Sequence, residues 1–163
     1  MVDKKTLAGL ELFIDLPDRA LDAIASTAEK KRYAPGDIIF SPERASDQAF
    51  LLLKGSVRLT VHASSLPEPV AIASLETPGQ LFGFSTVIGQ GHHNSSAEAT
   101  TEVEAVAVDG PRFLAYLGKD PEVGFVVMSR VARALSRRLA TLRRQLLQTI
   151  VDYERPKSTT PEN

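Results

Sequence analysis

Residues 50–61 read FLLLKGSVRLTV, and this stretch decides the fold class. Four apolar residues lead into a turn signal at residues 54–56, after which apolar and polar residues alternate over residues 57–61. A period of two is typical of a strand with one buried face. Similar short apolar runs alternate with turn signals throughout residues 33–108. Strands at such regular intervals predict an all-β barrel or a jelly roll.

Helical periodicity flanks this region on both sides. Apolar residues recur at spacings of three, four and seven over residues 6–30, which predicts helix with a break at Pro17-Asp18. After the strands, residues 113–117 predict a short helix ended by Gly118, and Pro121 stands where a new helix begins. With its helices counted, the fold class is α+β and mainly β.

The last helix has an apolar stripe that continues to Ile150. Its apolar residues are spaced by threes and fours over about six turns, which is longer than the body needs for its own core. An exposed stripe of this length favours a homodimer interface. The residues predicted to form that interface are Met128, Val131, Leu135, Leu139, Leu142 and Leu146. The opposite face carries six arginines, which we expect to be solvated or to reach acidic groups of the facing subunit: Arg130, Arg133, Arg137, Arg138, Arg143 and Arg144.

The chain therefore divides into three parts. Residues 1–120 form a β-roll with N-terminal helices, and residues 121–152 form the long helix. The polar, proline-interrupted tail at residues 153–163 is expected to be disordered.

Composition excludes several classes of protein. The 163 residues include no cysteine, so disulfides, cysteine-bound zinc and iron–sulfur clusters are excluded. No apolar run approaches the roughly 18–20 residues of a membrane span, and acidic residues interrupt the N-terminal segment where a signal peptide would be apolar. We therefore expect a soluble protein of the cytoplasm that does not associate with membranes.

The net charge of −1 hides an asymmetry. Residues 1–120 carry 11 basic and 16 acidic side chains, whereas residues 121–163 carry 8 basic and 4 acidic ones. An acidic body argues against a general nucleic-acid binder.

Four motifs resemble the cyclic nucleotide-binding domain of the Crp–Fnr regulators. They are the first strand of the roll at residues 33–40, the central strand and glycine turn at residues 50–59, the cassette at residues 78–83, and the helix that starts at Pro121-Glu122. The resemblance covers about residues 7–150. It implies a cyclic nucleotide-binding-type β-roll, which is a double-stranded β-helix jelly roll, with short N-terminal helices and a long C-terminal dimerisation helix.

The resemblance also implies what the cassette should contain. Nucleotide-binding members have a glutamate for the ribose hydroxyl directly after the cassette glycine, and an arginine for the cyclic phosphate about nine residues later. Here the first position is Phe84 and the second falls at or near His93. A phenyl ring accepts no useful hydrogen bond and a neutral imidazole lacks the charged fork of arginine, so high-affinity cyclic AMP binding by the usual geometry is not expected.

A degenerate ligand site follows from these replacements. The helix positions that meet the base in cyclic-AMP-dependent members align with Arg138 and Leu139. The pocket is therefore expected to be more apolar and to take a different nucleotide-like effector, or none. The predicted site residues are Gly83, Phe84, Ser85, Thr86, His93, Asn94, Ser95 and Arg138.

The cassette region is most similar to the Fnr branch, on residues 78–84 and 88–93. That branch senses oxygen through a cysteine-held iron–sulfur cluster, which a chain without cysteine cannot hold. Glu43 also departs from the family, which usually has glycine in the turn after the first strand.

Crp–Fnr regulators continue into a helix-turn-helix domain after the dimer helix, but only ten residues follow Tyr153 here. We therefore expect a stand-alone sensory domain that acts through a homodimer or a protein partner and does not contact DNA directly. A ligand-free interaction scaffold is the alternative. Two further alternatives are a true cyclic-nucleotide-binding protein and a metal- or haem-binding jelly roll that uses His62, His92 or His93. The hydroxyls near the histidines are those of ordinary loops, so no enzyme is expected.

Overall fold

The computed structural model describes residues 2–44, 46–88 and 92–154. Residues 155–163 of the predicted tail lie outside the described residues, as do residues 89–91 of the stretch similar to the Fnr branch. The helices are α1 (Lys4–Ala8), α2 (Asp18–Ala25), α3 (Gly110–Lys119) and α4 (Pro121–Glu154), with one 3₁₀ turn at Phe84–Thr86. The strands are β1 (Ala28–Tyr33), β2 (Ile38–Phe40), β3 (Gln48–Lys54), β4 (Val57–Val61), β5 (Val70–Leu75), β6 (Leu81–Phe82), β7 (Ser96–Ala99) and β8 (Val103–Asp109).

The strands form two antiparallel sheets, which confirms the predicted roll. One sheet has the order β1-β8-β3-β6 and the other has the order β2-β7-β4-β5. A cluster of buried apolar side chains, among them Phe50, Phe82 and Val57, fills the roll interior. A second cluster joins the outer face of β3 and β8 to the helices. Strands β4 and β5 form a hairpin in which Val61 pairs with Val70.

The turn between β3 and β4 shows why this stretch requires a glycine. Gly55 has a φ of +94°, a conformation that L side chains rarely adopt. A Cβ atom at this position would lie 2.1 Å from the carbonyl oxygen of Glu102. The Lys-Gly-Ser turn therefore lets the chain reverse in close contact with the start of β8.

The prediction of helix over residues 6–30 is wrong in part. α1 ends at Ala8, the following residues form tight turns, and Asp15 has a φ of +57°. Residues 28–33 form strand β1, which pairs with β8 along its whole length, from Ala28 opposite Val108 to Tyr33 opposite Val103. Backbone pairing with a distant strand overrides the local helix preference of these residues.

The first half of α4 belongs to the core of the domain. Val123, Val127 and Val131 are buried in one cluster with the N-terminal helices. Gly124 brings α4 close to α3, since a Cβ atom there would lie 2.7 Å from the Leu117 carbonyl oxygen. The prediction that Val131 belongs to a dimer interface is wrong, because its own domain covers it and leaves 2% of it exposed.

The second half of α4 extends beyond this core. Leu139 is 69% exposed and Leu146 is 61% exposed, while Leu142 is intermediate. The apolar side chains of the predicted stripe therefore become more exposed along the helix. Met128 and Leu135 pack partly against the body, whereas an open apolar face follows from Leu139 onward. No helix in residues 2–44, 46–88 and 92–154 combines the length and apolar character needed to cross a membrane.

Candidate ligand site between the cassette and the long helix

The cassette turns sharply at Gly83. Strand β6 ends at Phe82, Gly83 adopts a φ of +65°, and the 3₁₀ turn follows directly. A Cβ atom at Gly83 would lie 3.0 Å from Phe40, 3.1 Å from His93 and 3.2 Å from Phe50. Glycine is required here for both its backbone angle and the close approach of three rings.

His93 is enclosed on the inner side of this turn. It is 2% exposed, and its ring stacks on Phe40 with a centroid distance of 3.8 Å. Its Nδ1 lies 3.3 Å from the hydroxyl oxygen of Ser85, and its Nε2 has no hydrogen-bond partner among the described residues. Burial lowers the pKa of His93, and the carboxylate of Asp47 offsets only part of that effect. The imidazole is therefore neutral near pH 7.

Phe84 and Arg138 meet on the outer side of the cassette. The Nη2 atom of Arg138 donates a hydrogen bond of 2.8 Å to the carbonyl oxygen of Leu81. Its guanidinium carbon lies 5.6 Å from the centre of the Phe84 ring, which is a cation–π distance. Burial lowers the pKa of Arg138, but the side chain remains charged at any physiological pH.

A cavity of about 340 Å³ opens beside this pair. Its walls are the end of β5 at residues 73–75, the turn at residues 77–81, and one face of α4. The Gln80 side chain holds the turn, because its Oε1 accepts hydrogen bonds from two successive backbone N–H groups, at 2.8 Å from Glu76 and 2.9 Å from Thr77. Phe84 and Arg138 line the cavity, but His93 does not.

The predicted site residues therefore separate into two groups. Gly83, Ser85 and His93 lie together in the roll interior. Thr86 is also buried, but it lies near Gly110 at the start of α3, and it donates a hydrogen bond of 3.3 Å to the Gly83 carbonyl oxygen. Phe84 and Arg138 face the outer cavity. The remaining two residues line neither: Asn94 is exposed and Ser95 is intermediate in exposure.

The prediction of a solvated arginine face on α4 is wrong for Arg130 and Arg138, which are partly buried, whereas Arg137 is exposed. Arg130 Nη1 donates to the carbonyl oxygens of Leu12, at 3.2 Å, and Ile14, at 2.6 Å. Arg137 forms an ion pair of 2.9 Å with Glu11, and Arg138 bonds to the cassette as described above. These arginines fasten the helix to the body. Arg133, Arg143 and Arg144 are exposed, as predicted.

The sequence reasoning missed Glu11, Gln80 and Arg137 as residues of the site. Their spacing along the chain carries no signal of mutual contact, because they lie on three separate segments. The metal-binding alternative would require several ligand side chains close together. In the part of the chain that the structure describes, no group of three or more histidine, aspartate or glutamate side chains could hold a metal ion. His62 and His92 are exposed, whereas the neighbouring His93 is buried.

Comparison with known proteins gives the family. The cyclic nucleotide-binding domain family matches residues 30–120, which is more than half of the chain. The chain therefore belongs to the cyclic nucleotide-binding domain family.

Its relatives are bacterial regulators of the Crp type. The chain is 24% identical over 131 residues to a CRP-like cAMP-activated global transcriptional regulator of Mycobacterium tuberculosis, and 28% identical over 130 residues to the cyclic AMP receptor protein of Thermus thermophilus. These alignments include 80% and 79% of this chain but only 58% and 59% of the relatives. The chain thus spans about three fifths of their length. The absence of a DNA-binding module and the similarity to the Fnr branch stay predictions.

Solved structures agree with the fold. A candidate cyclic nucleotide-binding protein from Geobacter metallireducens is 32% identical with a TM-score of 0.73, and the match covers 85% of this chain and 99% of that one. The Thermus thermophilus catabolite activator protein is 28% identical with a TM-score of 0.64, covering 84% and 62%.

Proposed function

We propose that this chain is a sensory and regulatory domain whose cassette has lost the usual contacts to a cyclic nucleotide, and which signals through a dimeric α4. The observation that carries the proposal is the occupation of the cassette by rings. Phe84 follows the cassette glycine, and the buried, neutral His93 stacks on Phe40 behind it.

The replaced cassette lacks two charged contacts to a cyclic nucleotide. A hydrogen bond to a charged group contributes about 1.5–3 kcal/mol, so the absence of both a glutamate and an arginine removes about 3–6 kcal/mol. This corresponds to a loss of about two to four orders of magnitude in cyclic AMP affinity. The Nε2 of His93 has no hydrogen-bond partner among the residues that the structure describes, and it lies in a closed space.

The dimer proposal rests on the open face of α4. Phe125, Leu139 and Leu146 are exposed and follow one another at multiples of seven residues, as in a coiled-coil seam. Large exposed side chains in such a row are a liability in a monomer, and a second copy of the same helix would cover them.

A signalling route follows from the contacts of Arg138. This side chain bonds to the cassette strand and belongs to α4, so a ligand that changes the bond would change the position of the helix. The role is regulatory rather than catalytic. A homodimer is the expected partner, and a further protein could bind to the helix.

Two measurements test the proposal. Thermal unfolding is followed with cyclic AMP, cyclic GMP and cyclic dinucleotides in large excess, with the Thermus cyclic AMP receptor protein as positive control. A ligand at about 100 times its dissociation constant stabilises by about 2.7 kcal/mol, which raises the melting temperature by about 5–10 °C. We expect flat curves for this chain. A rise of that size with cyclic AMP would show that the replaced cassette still binds.

Sedimentation equilibrium tests the second half of the proposal. We expect a mass of twice 17.7 kDa. A monomer at micromolar concentration would refute signalling through a dimeric helix. Flat thermal curves together with a dimer would be consistent with an unrelated effector or with the ligand-free scaffold.

A further inference from the structure

Within residues 2–44, 46–88 and 92–154, no carboxylate neutralises the half-buried positive charge of Arg138. The ion pairs in the described part of the chain do not include its guanidinium group. Its partners are one carbonyl oxygen, of Leu81, and the face of the Phe84 ring. A neutral carbonyl offsets only part of the cost of removing a guanidinium group from water.

The other arginine of the cavity is in a different state. Arg137 also lines it, but its charge is paired with Glu11 at 2.9 Å. The cavity thus contains two guanidinium groups and one carboxylate, which leaves a net positive charge at Arg138. Leu81, Phe84 and Leu135 form an apolar part of the cavity lining, and polar side chains such as Thr77 and Thr141 line the rest.

We propose that this cavity binds a small oxyanion, a carboxylate or a phosphate monoester, attached to a flat apolar group. The proposal rests on the proposed function, because it names the effector class of the same regulatory site. The planar fork of Arg138 matches two oxygens of the anion, and the flat group lies against the apolar wall beside Phe84. The volume of about 340 Å³ suits a ligand with one ring.

This mode of binding differs from that of nucleotide-binding members in the element that supplies the guanidinium group. The guanidinium group comes from α4, whereas in nucleotide-binding members the cassette arginine belongs to the roll. An oxyanion that binds Arg138 replaces the bond to the Leu81 carbonyl, which is a bond between the helix and the cassette. The ligand therefore acts on the position of the helix through its own charged contact.

Isothermal titration calorimetry of the full chain tests the proposal with simple probes. Phenyl phosphate and benzoate carry both an oxyanion and a ring, phenol carries the ring alone, and inorganic phosphate carries the charge alone. The variants are Arg138→Gln, which removes the charge, and Arg138→Lys, which keeps the charge without the fork. Arg133→Gln, on an exposed arginine of the same helix, is the matched control. Circular dichroism confirms that each variant is folded.

We expect phenyl phosphate or benzoate to bind the wild type and Arg133→Gln within twofold of each other. Binding should weaken tenfold to a hundredfold in Arg138→Gln and less in Arg138→Lys, and both partial probes should bind more weakly. If Arg138→Gln bound phenyl phosphate and benzoate as tightly as the wild type does, the proposal would be overturned. The proposal would also be overturned if neither phenyl phosphate nor benzoate bound the folded wild type at millimolar probe concentration.

The oligomeric state measured on the same samples separates this proposal from the previous one. A dimer that binds neither phenyl phosphate nor benzoate refutes the effector class alone and favours the ligand-free scaffold. A monomer that binds them with the expected dependence on Arg138 refutes the dimeric signal alone.

Discussion

The substitution Gly83→Ala should destabilise the domain by more than the unfavourable backbone angle alone explains. The backbone at φ +65° costs a non-glycine residue about 1 kcal/mol. The new methyl group would also meet three aromatic rings at 3.0–3.2 Å, and overpacking of a rigid core costs about 1–3 kcal/mol more. The total of about 2–4 kcal/mol lowers the melting temperature of a chain of this size by about 4–16 °C.

Gly36→Ala is the matched control for this effect. Gly36 has a φ of +89°, but a Cβ atom there would meet nothing within 4 Å. It should therefore lose only the backbone contribution, about 1 kcal/mol or about 2–4 °C. Thermal unfolding followed by circular dichroism gives both values. Equal shifts for the two variants would show that the rings behind Gly83 can move aside, and the enclosed cassette described above would be incorrect.

Three further predictions concern α4 and His93. Leu139→Arg should convert the dimer to a monomer in sedimentation equilibrium, because two charges would face each other in the seam; an unchanged dimer would place the interface elsewhere. Arg130→Ala should lower the free energy of unfolding in urea by about 1.5–3 kcal/mol, because a single, partly exposed Nη1 atom makes both of the lost hydrogen bonds, and equal loss in the exposed Arg133→Ala would contradict this. The pKa of His93 is lowered in the folded state, so the unfolded chain binds more protons and stability should fall as the pH drops below about 6.5. Between pH 5 and pH 7, the melting temperature should depend less on pH in His93→Phe than in His92→Gln. Identical profiles for the two variants would refute the assignment of this pH dependence to His93.

The strands of the roll were predictable because their pattern is local. Period two over residues 57–61 and the Lys-Gly-Ser turn locate β4 and the reversal that precedes it. Strand β1 was missed because Ala28–Tyr33 includes a run of charged residues that suits a helix equally well. Its pairing partners in β8 lie 70–80 residues further along the chain, and no local window contains that information.

The sequence predicts only those residues of the site that stand at a fixed spacing from the cassette glycine. The spacing from Gly83 places Phe84 and His93 in the cassette, and the structure brings the glycine and the histidine into contact. Periodicity also identifies an apolar face on α4, but it cannot separate Val131, which its own domain covers, from Leu139, which is open. That distinction depends on where the helix leaves the body, which tertiary packing sets.

The attachment of α4 gives the domain a mechanical property. The helix is held along its first half by buried valines and by the three arginines up to Arg138, while the 16 residues from Leu139 to Glu154 extend for about 24 Å beyond the last of these anchors. A rigid helix held in this way acts as a lever. A tilt of about 5° at the anchored half would displace the far end by about 2 Å, given a rise of about 1.5 Å per residue. A change of a single contact at Leu81 would thus be transmitted as a larger movement where two helices could meet.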